Sequence, residues 1–101
     1  MSFKENVAAA IAKNGDALDE LNNALAMCSL LALPDRERSL LEKTATTQLQ
    51  FGRILLLLQK EGELRDEAGK AITDEIIAAA NEASENVKVA IGDFRATLVK
   101  E

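Results

Sequence analysis

Two helix-breaking residues divide this chain into three long segments. Pro34 follows the first segment, and Gly62 follows the second. Proline is tolerated in the first turn of a helix but not in its interior, and glycine readily adopts the positive φ at which many helices end. Because the connections at both places are short, neighbouring segments should run antiparallel. The sequence therefore predicts an all-α fold, an up-down-up bundle of three long helices.

Apolar residues recur at intervals of three and four in the first and third segments, which is the spacing that keeps one face of a helix against its neighbours. In the first segment, residues 2–33, the predicted core positions are Phe3, Val7, Ala10, Asn14, Ala17, Leu21, Ala24, Cys28 and Leu31, and the stripe is widened by Ile11, Leu18, Leu25 and Ala32. In the third segment, from residue 64 to about residue 100, they are Leu64, Ala68, Ile72, Ile76, Ala79, Ala83, Val87, Ala90, Phe94 and Leu98.

Asn14-Gly15-Asp16 is the weak point of the first segment. Gly15 could end a short helix, with Asp16 capping the next one, and the bundle would then have four helices. Alternatively, one helix runs through Gly15 at a cost of roughly 1 kcal/mol relative to alanine. The sequence leaves both arrangements open.

Length and composition predict a single domain over residues 1–101. A chain of this size buries only about 60 to 65% of the surface that its unfolded form exposes, so its margin of stability is small. Hydrophobic residues make up 48% of the chain, yet only 3% of it is aromatic. Most of the apolar residues are alanine and leucine, which favour closely packed helices over sheets.

Charge and residue types argue against most binding and catalytic chemistry. The net charge is −5, and the basic residues are scattered among acids, so nucleic acid is not an expected partner. The sequence has no histidine, which removes the usual general base and the commonest metal ligand. We therefore expect no enzyme activity, no metal, no cofactor and no small-molecule substrate.

Cys28 is the single cysteine and lies within an apolar run. It cannot form an internal disulfide, and the pattern predicts that it is buried as a small hydrophobic residue. The longest apolar stretch, residues 24–33, is much shorter than the roughly 20 residues that span a bilayer. These features predict a cytoplasmic protein that does not enter a membrane.

The five consecutive apolar residues 54–58 are the main functional signal in the sequence. At roughly 100° per residue they point around the whole helix, so one packed face cannot bury them all. A helix packed between two others could bury a broad arc of its surface without a partner, but about a third of its circumference would remain exposed to solvent. One or two of the leucines, Leu57 among them, should then be exposed.

We therefore expect a non-catalytic protein–protein interaction module, such as a regulatory antagonist, an adaptor or a secretion or assembly chaperone, that forms a homodimer. The alternative is a structural or assembly subunit of a multi-copy complex, such as a phage or secretion apparatus. A second patch is expected just before Pro34, at the other end of the second segment. The predicted partner-binding or dimer-interface residues are Phe51, Ile54, Leu55, Leu57 and Leu58, with Leu30, Leu31 and Leu33 in the second patch.

Overall fold

The computed structural model describes residues 2–63 and 66–99 and contains three helices there, with no strand among those residues. Helix α1 covers Phe3–Leu30, α2 covers Asp35–Glu61 and α3 covers Glu67–Val99. They form an elongated three-helix bundle that measures 53 × 19 × 18 Å. The predicted all-α fold, with turns at Pro34 and Gly62, is confirmed.

The helix ends carry local capping interactions. The Ser2 hydroxyl accepts a hydrogen bond from the Glu5 backbone N–H at 3.2 Å, and the Asp66 carboxylate accepts one from the Gly69 N–H at 2.6 Å. Such bonds satisfy backbone donors that the first turn of a helix leaves unpaired. After α2, Gly62 has φ 85° and ψ −179°, a backbone region that is essentially restricted to glycine.

The end of α1 is closed by two backbone hydrogen bonds. The N–H of Leu33 donates to the carbonyl of Cys28 at 3.0 Å, and the N–H of Ala32 donates to the carbonyl of Ser29 at 3.4 Å. This pattern is the Schellman motif, in which the residue after the cap is usually a glycine with positive φ. Here Ala32 takes that place with φ 50°, so the turn before Pro34 forms without glycine.

Helix α1 runs through Gly15 without a break, so the bundle has three helices and not four. The buried positions of α1 from Val7 to Cys28 all belong to the predicted stripe, Asn14 included, and the residues predicted to widen it, Ile11, Leu18 and Leu25, are half-buried. Phe3 is half-buried at the start of the stripe, whereas Leu31 is exposed at its end. The glycine is tolerated because residues on both sides of it pack against the other helices.

The core has two apolar clusters along the bundle axis. One lies towards the Pro34 turn and is built around Leu21, Cys28, Leu41, Val87 and Phe94. The other lies towards the Gly62 turn and consists of Val7, Ala10, Leu55, Ile77 and Ala80.

A layer of polar side chains lies between these clusters and connects all three helices. The side-chain amide of Asn14 donates to the backbone carbonyl of Gln48 at 2.7 Å. The amide of Gln48 in turn donates to the Ser84 hydroxyl at 2.8 Å, and that hydroxyl donates to the carbonyl of Ala80 at 3.1 Å. All three residues are at least 95% buried, so the bonds are shielded from water.

The predicted core stripe of α3 is wrong in its first half. The buried positions there are Gly69, Thr73, Ile77, Ala80 and Ser84, each one residue later than predicted. Ile72 is 56% exposed, while Ala68 and Ala79 also face solvent. Hydroxyl groups can occupy this buried face because Thr73 and Ser84 each donate to a carbonyl of their own helix. The predicted positions are correct from Val87 through Phe94, except that Ile91 is buried in place of half-buried Ala90, and Leu64 lies outside the described residues.

Replacing Gly52 by alanine should destabilise the protein, although alanine is normally the better helix former. A Cβ atom on Gly52 would lie 2.7 Å from Oδ1 of Asn14, so the polar layer would have to shift. We expect Gly52→Ala to lower the free energy of unfolding by about 1–3 kcal/mol in urea denaturation.

Gly15 and Gly92 provide matched controls for this prediction, because no atom beyond the neighbouring residues and the local helix backbone lies within 4 Å of a Cβ built at either position. Gly15→Ala and Gly92→Ala should each raise the free energy of unfolding by about 0.5–1 kcal/mol. Similar stabilisation by Gly52→Ala would show that Asn14 does not approach α2 at this point.

Candidate protein-binding face

The residues of the predicted leucine run divide between core and surface. Leu55 is fully buried, and Phe51 and Leu58 pack half-buried against the same core cluster. Ile54, Leu56 and Leu57 are 39%, 54% and 59% exposed. The expectation that one or two leucines remain exposed, Leu57 among them, is confirmed. Leu55 belongs to the core of the single chain, so its side chain is not accessible to a partner in this fold.

The second predicted patch lies at the opposite end of the bundle. Leu30 and Leu31 are 84% and 54% exposed, whereas Leu33 packs against the core cluster near the Pro34 turn. These residues precede α2, and the leucine run ends it, so the length of that helix separates the two groups. The fold of one chain therefore does not bring the two predicted patches together.

Two outward-facing stripes, one on α2 and one on α3, form what we call the α2–α3 face. Each has helical spacing of three and four residues. The α2 stripe consists of Lys43, Thr47, Gln50, Ile54, Leu57 and Glu61, and the α3 stripe consists of Ile72, Ile76, Ala79, Ala83, Asn86 and Ala90. All twelve residues are exposed or half-buried.

A groove between α2 and α3 shows which side of each helix faces this surface. Its walls include Leu40 and Thr44 from α2 and Ala90 and Thr97 from α3. Leu58 comes about five full helical turns after Leu40, so these two side chains point in the same direction. Ala90 comes the same number of turns after Ile72, so these two also point in the same direction. The isoleucines of α3 therefore face the same side of the bundle as the end of the leucine run.

Sequence reasoning assigned Ile72, Ile76, Ala79 and Ala83 to the core and did not identify this face. A signal was nevertheless present, since residues 76–80, like residues 24–28 and the longer run 7–12, form a further run of consecutive apolar residues. The argument that one packed face cannot bury such a run applies to α3 as well as to α2.

The interior of the α2–α3 face carries no charged residue. The only charges of the two stripes are Lys43 and Glu61, at the two ends of the α2 stripe, although 29% of the whole chain is charged. The rims are charged and differ in sign. Arg53 and Lys60 flank Leu57 along the outer rim of α2, while acids line the outer rim of α3 at Glu75, Glu82 and Asp93.

The groove continues the α2–α3 face towards the Pro34 turn and has a volume of about 340 Å³. Leu40, Leu41 and Phe94 make its walls mainly apolar, and Glu37 contributes a carboxylate. One oxygen of that carboxylate is buried and has no hydrogen-bond donor among the described residues. A buried acceptor without a donor is unfavourable, so a docked group that donates a hydrogen bond would be stabilised here.

Comparison with protein-family models, curated proteins and solved structures found no match to this chain. Within residues 2–63 and 66–99, no helix has the combined length and apolar character needed to cross a membrane. The same residues contain no group of three or more histidine, cysteine, aspartate or glutamate side chains arranged to hold a metal ion.

Cys28 is fully buried in the core cluster near the Pro34 turn, as the sequence predicts. Burial raises the pKa of its thiol, and Glu37 acts in the same direction. Arg38 opposes this shift but is engaged by a hydrogen bond that its guanidinium donates to the Ser29 hydroxyl at 3.1 Å. The thiolate, which is the reactive form, is therefore disfavoured at neutral pH.

The folded protein should accordingly react slowly with thiol reagents. We expect labelling of Cys28 by a chromogenic disulfide reagent at pH 7 to be at least about 100-fold slower in buffer than in denaturing urea, because it requires opening of the bundle. Rapid labelling of the native protein would show that the end of α1 does not pack as described.

Proposed function

We propose that this protein is a non-catalytic interaction module that binds a protein partner through the α2–α3 face. The observation that carries the proposal is the uncharged interior of this face, where Ile54, Leu57 and Ile72 are 39%, 59% and 56% exposed. Single exposed apolar residues are normal on a protein surface, but a contiguous group with a polar rim is typical of a binding site. Regulatory antagonists, adaptors and chaperones all use surfaces of this kind.

The composition of the face favours a protein as the bound species. Thr47, Gln50 and Asn86 supply uncharged hydrogen-bonding groups beside the apolar residues, a mixture typical of protein interfaces. Two parallel rows of side chains with helical spacing also form a shallow groove that fits an amphipathic helix. Nucleic acid is disfavoured, because the α3 rim is acidic and the chain has a net charge of −5.

The residues available for catalysis also support this proposal. Histidine is absent from the sequence, and Cys28 is a buried thiol whose pKa is raised. The usual histidine base and an activated cysteine nucleophile are therefore not available.

Site-specific photo-cross-linking in living cells tests the proposal directly. A photoreactive amino acid placed at Leu57 should give an adduct with a protein, because Leu57 points out of the α2–α3 face. The matched control is Leu56, which is adjacent and 54% exposed but points roughly 100° away, towards the α1 side of α2. An adduct at Leu57 that is absent at Leu56 supports the proposed face, and no adduct at Leu57 contradicts it.

The same pair of leucines gives a mutational prediction. Leu57→Glu and Leu56→Glu should each change the free energy of unfolding by less than about 0.5 kcal/mol, because both side chains are exposed. Only Leu57→Glu should reduce binding, since a charge buried at an interface without a partner costs several kcal/mol. Urea denaturation and light scattering, together with a binding assay for any protein that the cross-link identifies, measure the two effects. If Leu57→Glu retains native stability, native mass and native partner binding, the proposal is wrong.

A further inference from the structure

We infer that the occupant of the α2–α3 face is a second copy of this chain, related by a two-fold axis parallel to the helices. This inference rests on the proposed function, since it names the partner of the same face. In this arrangement α2 of each copy packs on α3 of the other copy. An interface with two-fold symmetry requires a face that is complementary to itself, and both the apolar residues and the rim charges of this face have that property.

The relative heights of the residues follow from the polar layer. Gln48 of α2 and Ser84 of α3 are hydrogen-bonded across the bundle at 2.8 Å, and the two helices are antiparallel. By height we mean the position along the bundle axis. A residue of α2 and a residue of α3 at the same height therefore have residue numbers that add up to about 132. A two-fold axis parallel to the helices preserves height, so the same rule relates α2 of one copy to α3 of the other.

The apolar residues of the two stripes meet at these heights. Ile54 on α2 is within one residue of the height of Ala79 on α3 of the second copy, and Leu57 is within one residue of the height of Ile76. Half of the α3 stripe is alanine, at Ala79, Ala83 and Ala90, while the α2 stripe carries the large Ile54 and Leu57. Placing α2 on α3 of the second copy therefore sets Ile54 against an alanine and buries Leu57 against Ile76, so both large side chains of the α2 stripe meet apolar residues.

The charges on the rims are complementary in the same arrangement. Arg53 comes within three or four residues in height of Glu75 and Glu82 of the second copy, and Lys60 within three residues of Glu75. Lys43 similarly lies within four residues of Asp93. Glu61, at the other end of the α2 stripe, is the exception, because it comes within four residues of Glu75 of the second copy. Three or four residues correspond to about 4.5–6 Å along a helix, which long side chains can span.

In the other two-fold arrangement the axis is perpendicular to the helices, and the rims then do not bring opposite charges together. It places α2 against α2 and α3 against α3 of the second copy. When it is centred on the face, Arg53 lies near its own symmetry mate, and Glu82 lies near its mate. Like charges at such distances are unfavourable, so the rims select the arrangement in which α2 packs on α3.

Reversal of one charge at a time, followed by reversal of both, tests this inference with the full chain. In sedimentation velocity over a wide concentration range, we expect the unmodified protein to form a dimer. Arg53→Glu and Glu82→Arg should each raise the dimer dissociation constant by about tenfold, because each places two like-charged pairs in the interface. The combined variant restores opposite charges at both symmetric positions, so its dissociation constant should return to within about threefold of the original value.

Glu85→Arg is the matched control, since it makes the same charge change on α3. Glu85 follows Ala78 and Asn81, which line the groove between α1 and α3, so it faces away from the α2–α3 face. This variant should dimerise normally. A dimer with the rescue described supports the inference, whereas a monomer at all concentrations, an open-ended oligomer, or a combined variant that fails to recover overturns it.

Failure of this inference and failure of the proposed function give different results. If the Leu57 cross-link joins the chain to a different protein and the purified chain is monomeric, the second copy is excluded and the interaction function is retained. If Leu57 gives no adduct, the α2–α3 face does not bind protein, and the proposed function fails with the inference.

Discussion

The polar layer formed by Asn14, Gln48 and Ser84 is the interaction on which the rest of the bundle depends. Apolar contacts between helices tolerate sliding and rotation, because one alanine or leucine can replace another. Buried amides do not, since each unpaired donor or acceptor costs about 1–3 kcal/mol. A shift of one turn would separate the Gln48 amide from the Ser84 hydroxyl, 2.8 Å away in the native register. The layer therefore fixes both the height and the rotation of the helices, and Gly52 provides the space in which Asn14 reaches α2.

The exposed α2–α3 face is a consequence of that constraint. To hold Ser84 against Gln48, α3 turns Thr73, Ile77 and Ala80 inward, which leaves Ile72 and Ala79 outside. Burial of Thr73 costs little because its hydroxyl donates to the carbonyl of Gly69 at 2.8 Å. The apolar surface that we propose for binding and the polar layer in the core therefore have a common structural origin.

Around this face, basic and acidic residues lie on different helices, which the net charge of the chain does not reveal. A net charge of −5 describes an acidic protein that should repel its own copies. The acids and bases next to the face are nevertheless segregated, with Arg53 and Lys60 along α2 and Glu75 and Glu82 along α3. A segregated rim favours one orientation of a second copy and disfavours others, which is how charges give an interface specificity.

The sequence by itself determined the number of helices, their boundaries near Pro34 and Gly62, and the buried face of α1. The helix boundaries depend on local chemistry. The buried face of α1 depends on a stripe of apolar residues that marks one side of the helix, with Val7, Leu21 and Cys28 on that side. It also determined that residues 54–58 could not all be buried, because a helix has only one inward side. Only the tertiary structure decided which side of α3 faces inward, since residues 76–80 are apolar in every direction and do not mark one side as the core. The choice depends on a hydrogen bond between Gln48 and Ser84, residues 36 apart in sequence, and no local pattern records such a contact.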